Sequence, residues 1–195
     1  MRELIKGLKV LLLTFAAYLI QVCVMQYFSV AGVTGSVLFA WLAILTVSYG
    51  KKYTFCASCL IGLLMESMLA NVKGIYVIVY PAAAMLCAQL FADMTDSQRQ
   101  RRRQQHRKFF RLPQNDLPVV VRIPCCAALM DLILGVVLCA YLYLIGVEIT
   151  FRHVLRLLLS ALYTGALALL LMRPLRRLMG MGPRRKKVPV PGGDM

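Results

Sequence analysis

The feature that most constrains this chain is a series of six long apolar runs separated by short polar connections. The runs cover about residues 8–30, 33–49, 53–70, 75–91, 117–146 and 154–172. A helix needs about 20 apolar residues to cross a bilayer, so the 195 residues can hold six spans and little else. We therefore predict an all-α polytopic membrane protein whose residues 1–178 form one six-helix transmembrane domain.

The composition agrees with membrane insertion and excludes several other classes of protein. Hydrophobic residues make up 60% of the chain and charged residues 16%, whereas a soluble domain is about half apolar and a quarter charged. The net charge of +15 would suggest nucleic-acid binding in a soluble protein. Here the basic residues lie in short runs between apolar stretches, as in a multi-pass membrane protein. An ordinary soluble domain, a disordered chain and a nucleic-acid-binding module are therefore excluded.

The distribution of Lys and Arg predicts the orientation of the spans. Of the 23 basic residues, 19 lie in the N-terminal segment up to Lys9, after the second run, after the fourth or after the sixth. The alternate connections hold only Lys73 and Arg152. Basic residues accumulate in cytoplasmic loops, so we predict that both termini are cytoplasmic.

The only long connection, residues 93–118, is a strongly basic linker. We expect it to lie at the cytoplasmic membrane surface, where its cluster would attract anionic lipids. The cluster consists of Arg99, Arg101, Arg102, Arg103, Arg107, Lys108 and Arg111. The Pro- and Gly-rich tail, residues 179–195, is predicted to be disordered.

Two acidic residues lie inside apolar runs, where a charge is costly and suggests a specific role. Glu66 shares one helix face with Ser58 and Gly62, and Asp131 shares one with Ala127 and Gly135. Faces of small residues allow close helix packing. We therefore expect both acids to face the interior of the bundle.

Basic and polar residues in the other runs are candidate partners for these acids. Arg156 is predicted to lie at the depth of Glu66 and to pair with it, on a stripe with spacing of four that continues through Ser160 and Thr164. Arg122 lies near a cytoplasmic end and is expected to snorkel to water. The remaining candidates are Gln21, Gln26 and Tyr163. This set predicts either a structural network that fixes helix register or contacts to a ligand or partner.

Residue patterns typical of catalysis or metal binding are not found in the sequence. The two histidines, His106 and His153, have no metal-ligand spacing, and no nucleophile-elbow or phosphate-binding motif occurs. The pair Cys56 and Cys59 has C-x-x-C spacing but no second pair. All seven cysteines lie in apolar runs, and we expect small buried side chains. We therefore predict a protein without enzymatic activity, metal or cofactor.

Several short motifs make the chain similar to the MreD family of bacterial rod-shape-determining membrane proteins. The string IGLLMES at residues 61–67 resembles that family's pattern of GLL, an acid and a small residue, with Glu66 as the acid. Gly74 and Tyr80 follow in the fourth span. The string LYT at residues 162–164 and the pair Pro174 and Leu175 resemble the family's last span. The family pattern has Asp at the position of Glu66 and Asn at that of Thr164.

The resemblance implies a non-enzymatic component of the cell-elongation machinery in the bacterial plasma membrane. Such proteins bind MreC, a single-span partner, and through it work with MreB filaments and peptidoglycan synthases. The implied fold is similar to the substrate-binding subunits of energy-coupling-factor vitamin transporters. Those subunits are the alternative function, although the A-x-x-x-A pairing of their first span is absent here, where Ile20 and Gln21 follow Ala16 and Ala17 by four residues.

Overall fold

The computed structural model describes residues 2–28, 33–68, 74–91, 118–147 and 150–178. The described residues form six α-helices and one short 3-10 helix at Met25–Tyr27. The α-helices are α1 (Arg2–Cys23), α2 (Val37–Ser48), α3 (Lys51–Met68), α4 (Ile75–Phe91), α5 (Val119–Leu144) and α6 (Phe151–Leu178). The basic linker cluster and the tail lie outside the described residues.

Each of the six apolar runs overlaps one of these helices, but the ends of the helices differ from the ends of the runs. Helix α4 has the predicted limits. Helix α1 ends at Cys23, well before residue 30, because the chain turns through the 3-10 helix. Helix α6 is longer than its run and continues past Pro174. The apolar runs therefore predicted the presence of the helices better than their ends.

Helix α2 lies at the centre of the bundle and contacts all five other helices. Every residue from Val37 to Val47 is buried, including Trp41. A helix that is apolar on all sides is expected in such a central position. From α4, the ring of Tyr80 stacks on Phe39 of α2 with ring centroids 4.9 Å apart.

The other helices pack around α2, with α5 against α6 and α3 against α4 as the most extensive neighbouring pairs. Glycines allow these close approaches. A Cβ atom at Gly62 of α3 would lie 3.0 Å from the Tyr76 carbonyl oxygen of α4. A Cβ atom at Gly135 of α5 would lie 2.7 Å from Leu157 Cδ1 of α6. The predicted small-residue face around Gly62 is therefore a helix contact.

Large apolar side chains cover the outer surfaces of α1 and α6. Leu12 and Leu8 of α1 are exposed, as are Leu162 and Leu170 of α6. Three segments are long and apolar enough to cross a membrane, namely Ile5–Tyr27, Val119–Leu144 and Phe151–Leu178. Apolar surface of this extent is stable against lipid and not against water. The protein is therefore an all-helical protein of the membrane-embedded class.

Candidate functional site

Four of the polar residues that the sequence singled out, Gln21, Asp131, Tyr163 and Thr164, lie at the start of α2. This helix has 12 residues and rises about 18 Å, which is less than the ~30 Å hydrocarbon core. Its first backbone N–H groups have no intrahelical acceptors. Within a membrane they must be satisfied by other protein groups, because water is absent. The start of α2 therefore requires polar side chains from its neighbours.

Side chains from two other helices supply those acceptors. Gln21 of α1 accepts a hydrogen bond from the Val37 N–H at 2.7 Å through Oε1. Its amide nitrogen lies 3.5 Å from the Gly35 carbonyl oxygen. Thr164 of α6 accepts from the Ser36 N–H at 2.9 Å through Oγ1. Ser36 is the N-cap residue, and its Oγ accepts from the Phe39 N–H at 3.3 Å. Three helices are joined at this point.

Asp131 of α5 joins the same cluster through α6. Its Oδ2 atom accepts hydrogen bonds from Ser160 Oγ at 2.7 Å and Thr164 Oγ1 at 3.2 Å. The Thr164 hydroxyl therefore donates to Asp131 and accepts from the Ser36 N–H, linking the acid to α2. The N-terminal end of a helix carries partial positive charge and favours a nearby acid. Asp131 thus complements the start of α2 through one intervening hydroxyl.

Shape as well as hydrogen bonding fixes the segment before α2. A Cβ atom at Gly35 would lie 2.8 Å from Tyr163 Cδ1 and 2.9 Å from Leu167 Cδ1. A side chain at this position would therefore have to displace Tyr163 and Leu167 of α6. The Tyr163 hydroxyl donates to the Phe28 carbonyl oxygen at 3.2 Å. Tyr163 thus ties α6 to the chain that leaves α1.

A second polar contact joins α1 and α2 deeper in the bundle. The Trp41 indole N–H donates to Thr14 Oγ1 at 3.0 Å, and the Thr14 hydroxyl donates to the Val10 carbonyl oxygen at 2.7 Å. Sequence reasoning missed this pair. The sequence feature that could have indicated it is Trp41, the single tryptophan, which lies inside an apolar run. A buried indole N–H needs a hydrogen-bond acceptor.

Glu66 lies at a different site, beside the start of α4. Its Oε1 atom accepts a hydrogen bond from the Gly74 N–H. Gly74 has φ of 90°, a backbone conformation suited to glycine. The Glu66 Oε2 atom is buried and has no hydrogen-bond partner among the described residues. Glu66 therefore connects the end of α3 to the start of α4.

The predicted pair of Glu66 and Arg156 is wrong. The Glu66 carboxyl group contacts Gly74, whereas the Arg156 side chain is exposed on α6. Gln26 is also exposed and lies in the 3-10 helix. The sequence prediction placed both residues in an inward-facing network that neither joins.

Arg122 is buried, with 4% of its surface exposed, so the expectation that it snorkels to water is also wrong. Its guanidinium donates a hydrogen bond to the carbonyl oxygen of Phe91, the last residue of α4. The last carbonyl groups of a helix lack intrahelical donors and favour a nearby cation. Arg122 therefore stabilises the end of α4 from α5.

The cysteines are all free and differ in their surroundings. Cys87 and Cys126 are buried, as expected. Cys23, Cys56 and Cys125 are exposed, which corrects the expectation that all seven are buried. These three lie on outward sides of helices, where a weakly polar thiol is tolerated next to lipid. Within the described residues, no three His, Cys, Asp or Glu residues are close enough to hold a metal ion.

Comparisons with known proteins found no match to a family model, a curated protein or a solved structure. The contacts of the chain itself therefore carry the functional proposal. Of the predicted candidates, the structure brings together Gln21, Asp131, Thr164 and Tyr163 at the start of α2. Glu66, Arg122, Arg156 and Gln26 lie elsewhere.

Proposed function

We propose that this chain is a non-enzymatic scaffold of the bacterial cell-elongation machinery. It would cross the plasma membrane six times with both termini cytoplasmic and bind an MreC-like single-span partner. Through that partner it would act with MreB filaments and peptidoglycan synthases. The motifs quoted above motivate this function, and the fold is compatible with it.

The observation that carries the scaffold role is the hydrogen-bonded chain from Asp131 through Thr164 to the Ser36 N–H. These polar groups contact one another and a helix end, so they hold α2, α5 and α6 in fixed register. A rigid bundle suits a protein that presents a constant surface to another membrane protein.

The outer face of α1 is the best surface for a single-span partner. Its exposed residues Ile5, Leu8, Leu12, Phe15 and Leu19 recur at alternating intervals of three and four. This 3.5-residue spacing is the a/d pattern by which two helices pack side by side. The exposed face of α6 has similar spacing, but it carries the small residue Ala166 between Leu162 and Leu169 and so lacks a large apolar side chain at its centre. We therefore place the partner helix on α1.

Co-purification of the tagged chain with an MreC-like protein tests this function. We expect a stable complex that is lost when Leu8, Leu12 and Phe15 are all replaced by Ala. The matched control replaces the exposed α6 residues Leu158, Leu162 and Leu169 by Ala and should retain the partner. Tight vitamin binding by the isolated chain, together with failure to retain the partner, would favour the transporter-subunit alternative. Equal loss in both variants would argue against a partner site on α1.

A further inference from the structure

Two arginines are exposed on α6 at the end opposite its basic C-terminal turn. Arg152 and Arg156 are four residues apart, so their side chains project from neighbouring positions on the helix surface. The side chains around them are apolar and exposed, including Phe151, Leu155 and Leu159. The pair therefore forms a positively charged patch within a lipid-facing surface.

The length of α6 sets the depth of this patch. The 16 residues between Arg156 and Arg173 are uncharged. At about 1.5 Å per residue, the two arginines are separated by ~26 Å, compared with a hydrocarbon core of ~30 Å. When Arg173 lies at one membrane interface, Arg156 lies at the edge of the hydrocarbon in the other leaflet. Arg152, about 6 Å further along the helix, then lies among the headgroups.

A guanidinium at this depth requires an anion, because leaving a charge uncompensated beside lipid chains is costly. The intramembrane acids are engaged elsewhere: Glu66 contacts Gly74, and Asp131 contacts Ser160 and Thr164. Glu148, four residues before Arg152, lies outside the described residues, and within them neither Arg152 nor Arg156 forms an ion pair with an acid. The anion nearest to this depth in a bilayer is the phosphate group of a phospholipid.

We propose that Arg152 and Arg156 bind the phosphate groups of anionic phospholipids in the leaflet at the N-terminal end of α6. The planar guanidinium forms paired hydrogen bonds to phosphate oxygens. Phe151 and Leu155 then contact the upper part of the acyl chains. Two adjacent positive charges favour a lipid with net negative charge over a zwitterionic lipid. The site requires membrane insertion of α6 and does not depend on the scaffold function.

Native mass spectrometry of the full chain in mixed micelles tests this site. We expect the wild-type chain to retain phosphatidylglycerol in preference to phosphatidylcholine. Each arginine replaced by Gln should weaken phosphatidylglycerol binding about fivefold, so that Arg152→Gln with Arg156→Gln gives a loss of roughly 25-fold. Arg152→Lys with Arg156→Lys keeps both positive charges but not the planar guanidinium groups. This variant should lose less phosphatidylglycerol binding than the double Gln variant. Inorganic phosphate at the same concentration should not compete, since it lacks the acyl chains.

The matched control replaces Lys51 and Lys52, two exposed cations at the start of α3, by Gln. This control removes the same charge and should retain the preference for phosphatidylglycerol. Equal losses in the two Gln variants would show that net charge alone binds the lipid and would overturn the site. No preference in the wild-type chain would also overturn it. If the Gln variant elutes as an aggregate, the Lys variant decides: weaker phosphatidylglycerol binding supports the site, and unchanged binding shows that the guanidinium groups do not bind the phosphate and overturns it.

Discussion

Asp131 and Glu66 are both acids inside the apolar bundle, and each is associated with the start of a helix. Glu66 contacts Gly74, eight residues away, at the start of α4. Asp131 reaches the start of α2 through Thr164 and Ser36, which are 128 residues apart in the chain. One acid thus closes a local hairpin, whereas the other joins three helices.

The two arrangements differ in how many groups depend on the acid. Two hydroxyl groups donate hydrogen bonds to Asp131 Oδ2. One of them, that of Thr164, also accepts a hydrogen bond at the start of α2, the buried central helix. One N–H group points at Glu66, whose second carboxyl oxygen has no hydrogen-bond partner among the described residues. Removal of an acceptor lowers the free energy of unfolding more when it leaves more buried donors unsatisfied. The same residue class should therefore contribute differently to stability at these two positions.

The largest expected effect is that of Asp131→Ala. The substitution leaves the Ser160 and Thr164 hydroxyls without their acceptor and should reduce the free energy of unfolding in detergent by about 3 kcal/mol. Asp131→Asn keeps a carbonyl oxygen at the same place and should cost about 1 kcal/mol. Unfolding titrations of the three proteins measure both values. A stability of Asp131→Ala equal to wild type would contradict the role assigned to the cluster.

A double-mutant cycle sharpens the difference between the two acids. Asp131→Ala and Thr164→Val remove the same hydrogen bond, so their effects should be non-additive by about 1–2 kcal/mol. Asp131→Ala and Glu66→Ala share no hydrogen-bond partner, and their effects should add within about 0.5 kcal/mol. The two coupling energies come from the same unfolding titration. Similar coupling in both cycles would mean that the acids do not belong to separate sites.

Glu66→Ala should have a smaller effect, of about 1 kcal/mol, because it removes one helix-terminal hydrogen bond. Hydrogen exchange gives a local measurement, since the Gly74 amide should lose protection. Glu66→Gln keeps a side-chain oxygen and should preserve that protection. Unchanged exchange at Gly74 in the Ala variant would show that the contact does not stabilise the start of α4.

The smallest expected effect is the coupling between Glu66 and Arg156. Arg156 is exposed and does not contact Glu66, so Glu66→Ala and Arg156→Ala should be additive within about 0.5 kcal/mol. The same titration measures this cycle. A coupling energy above about 1 kcal/mol would restore the ion pair that the sequence suggested.

Helix geometry explains why the sequence misplaced Arg156. Residues spaced by four advance about 40° around a helix of 3.6 residues per turn. Along the stripe, Thr164 is buried, Ser160 is half-buried and Arg156 is exposed. Eight residues separate Arg156 from Thr164, which corresponds to a rotation of about 80°. A spacing of four therefore predicted a shared face correctly for Ser160 and Thr164, but not for Arg156 and Thr164.

The sequence predicted the polar members of the cluster better than their partners. Gln21, Asp131 and Thr164 stand out as polar residues in apolar runs, which hydropathy detects. Their main acceptor and donor partners include backbone groups at Ser36 and Val37, and every residue has such groups. Hydropathy also cannot find the end of α1 at Cys23, because the residues that follow are as apolar as the helix.

The position of α2 has a consequence for the order of events during synthesis. The helix is made second, but the hydroxyl that accepts the Ser36 N–H belongs to Thr164, 128 residues later. At roughly 5–20 residues per second, ribosomes need about 6–26 s to add that stretch. Throughout this interval the start of α2 lacks one of its three side-chain acceptors. The last of the described helices therefore completes the hydrogen bonds at the start of α2, and a ribosome that stalls before Thr164 leaves the Ser36 N–H of the nascent chain without this acceptor.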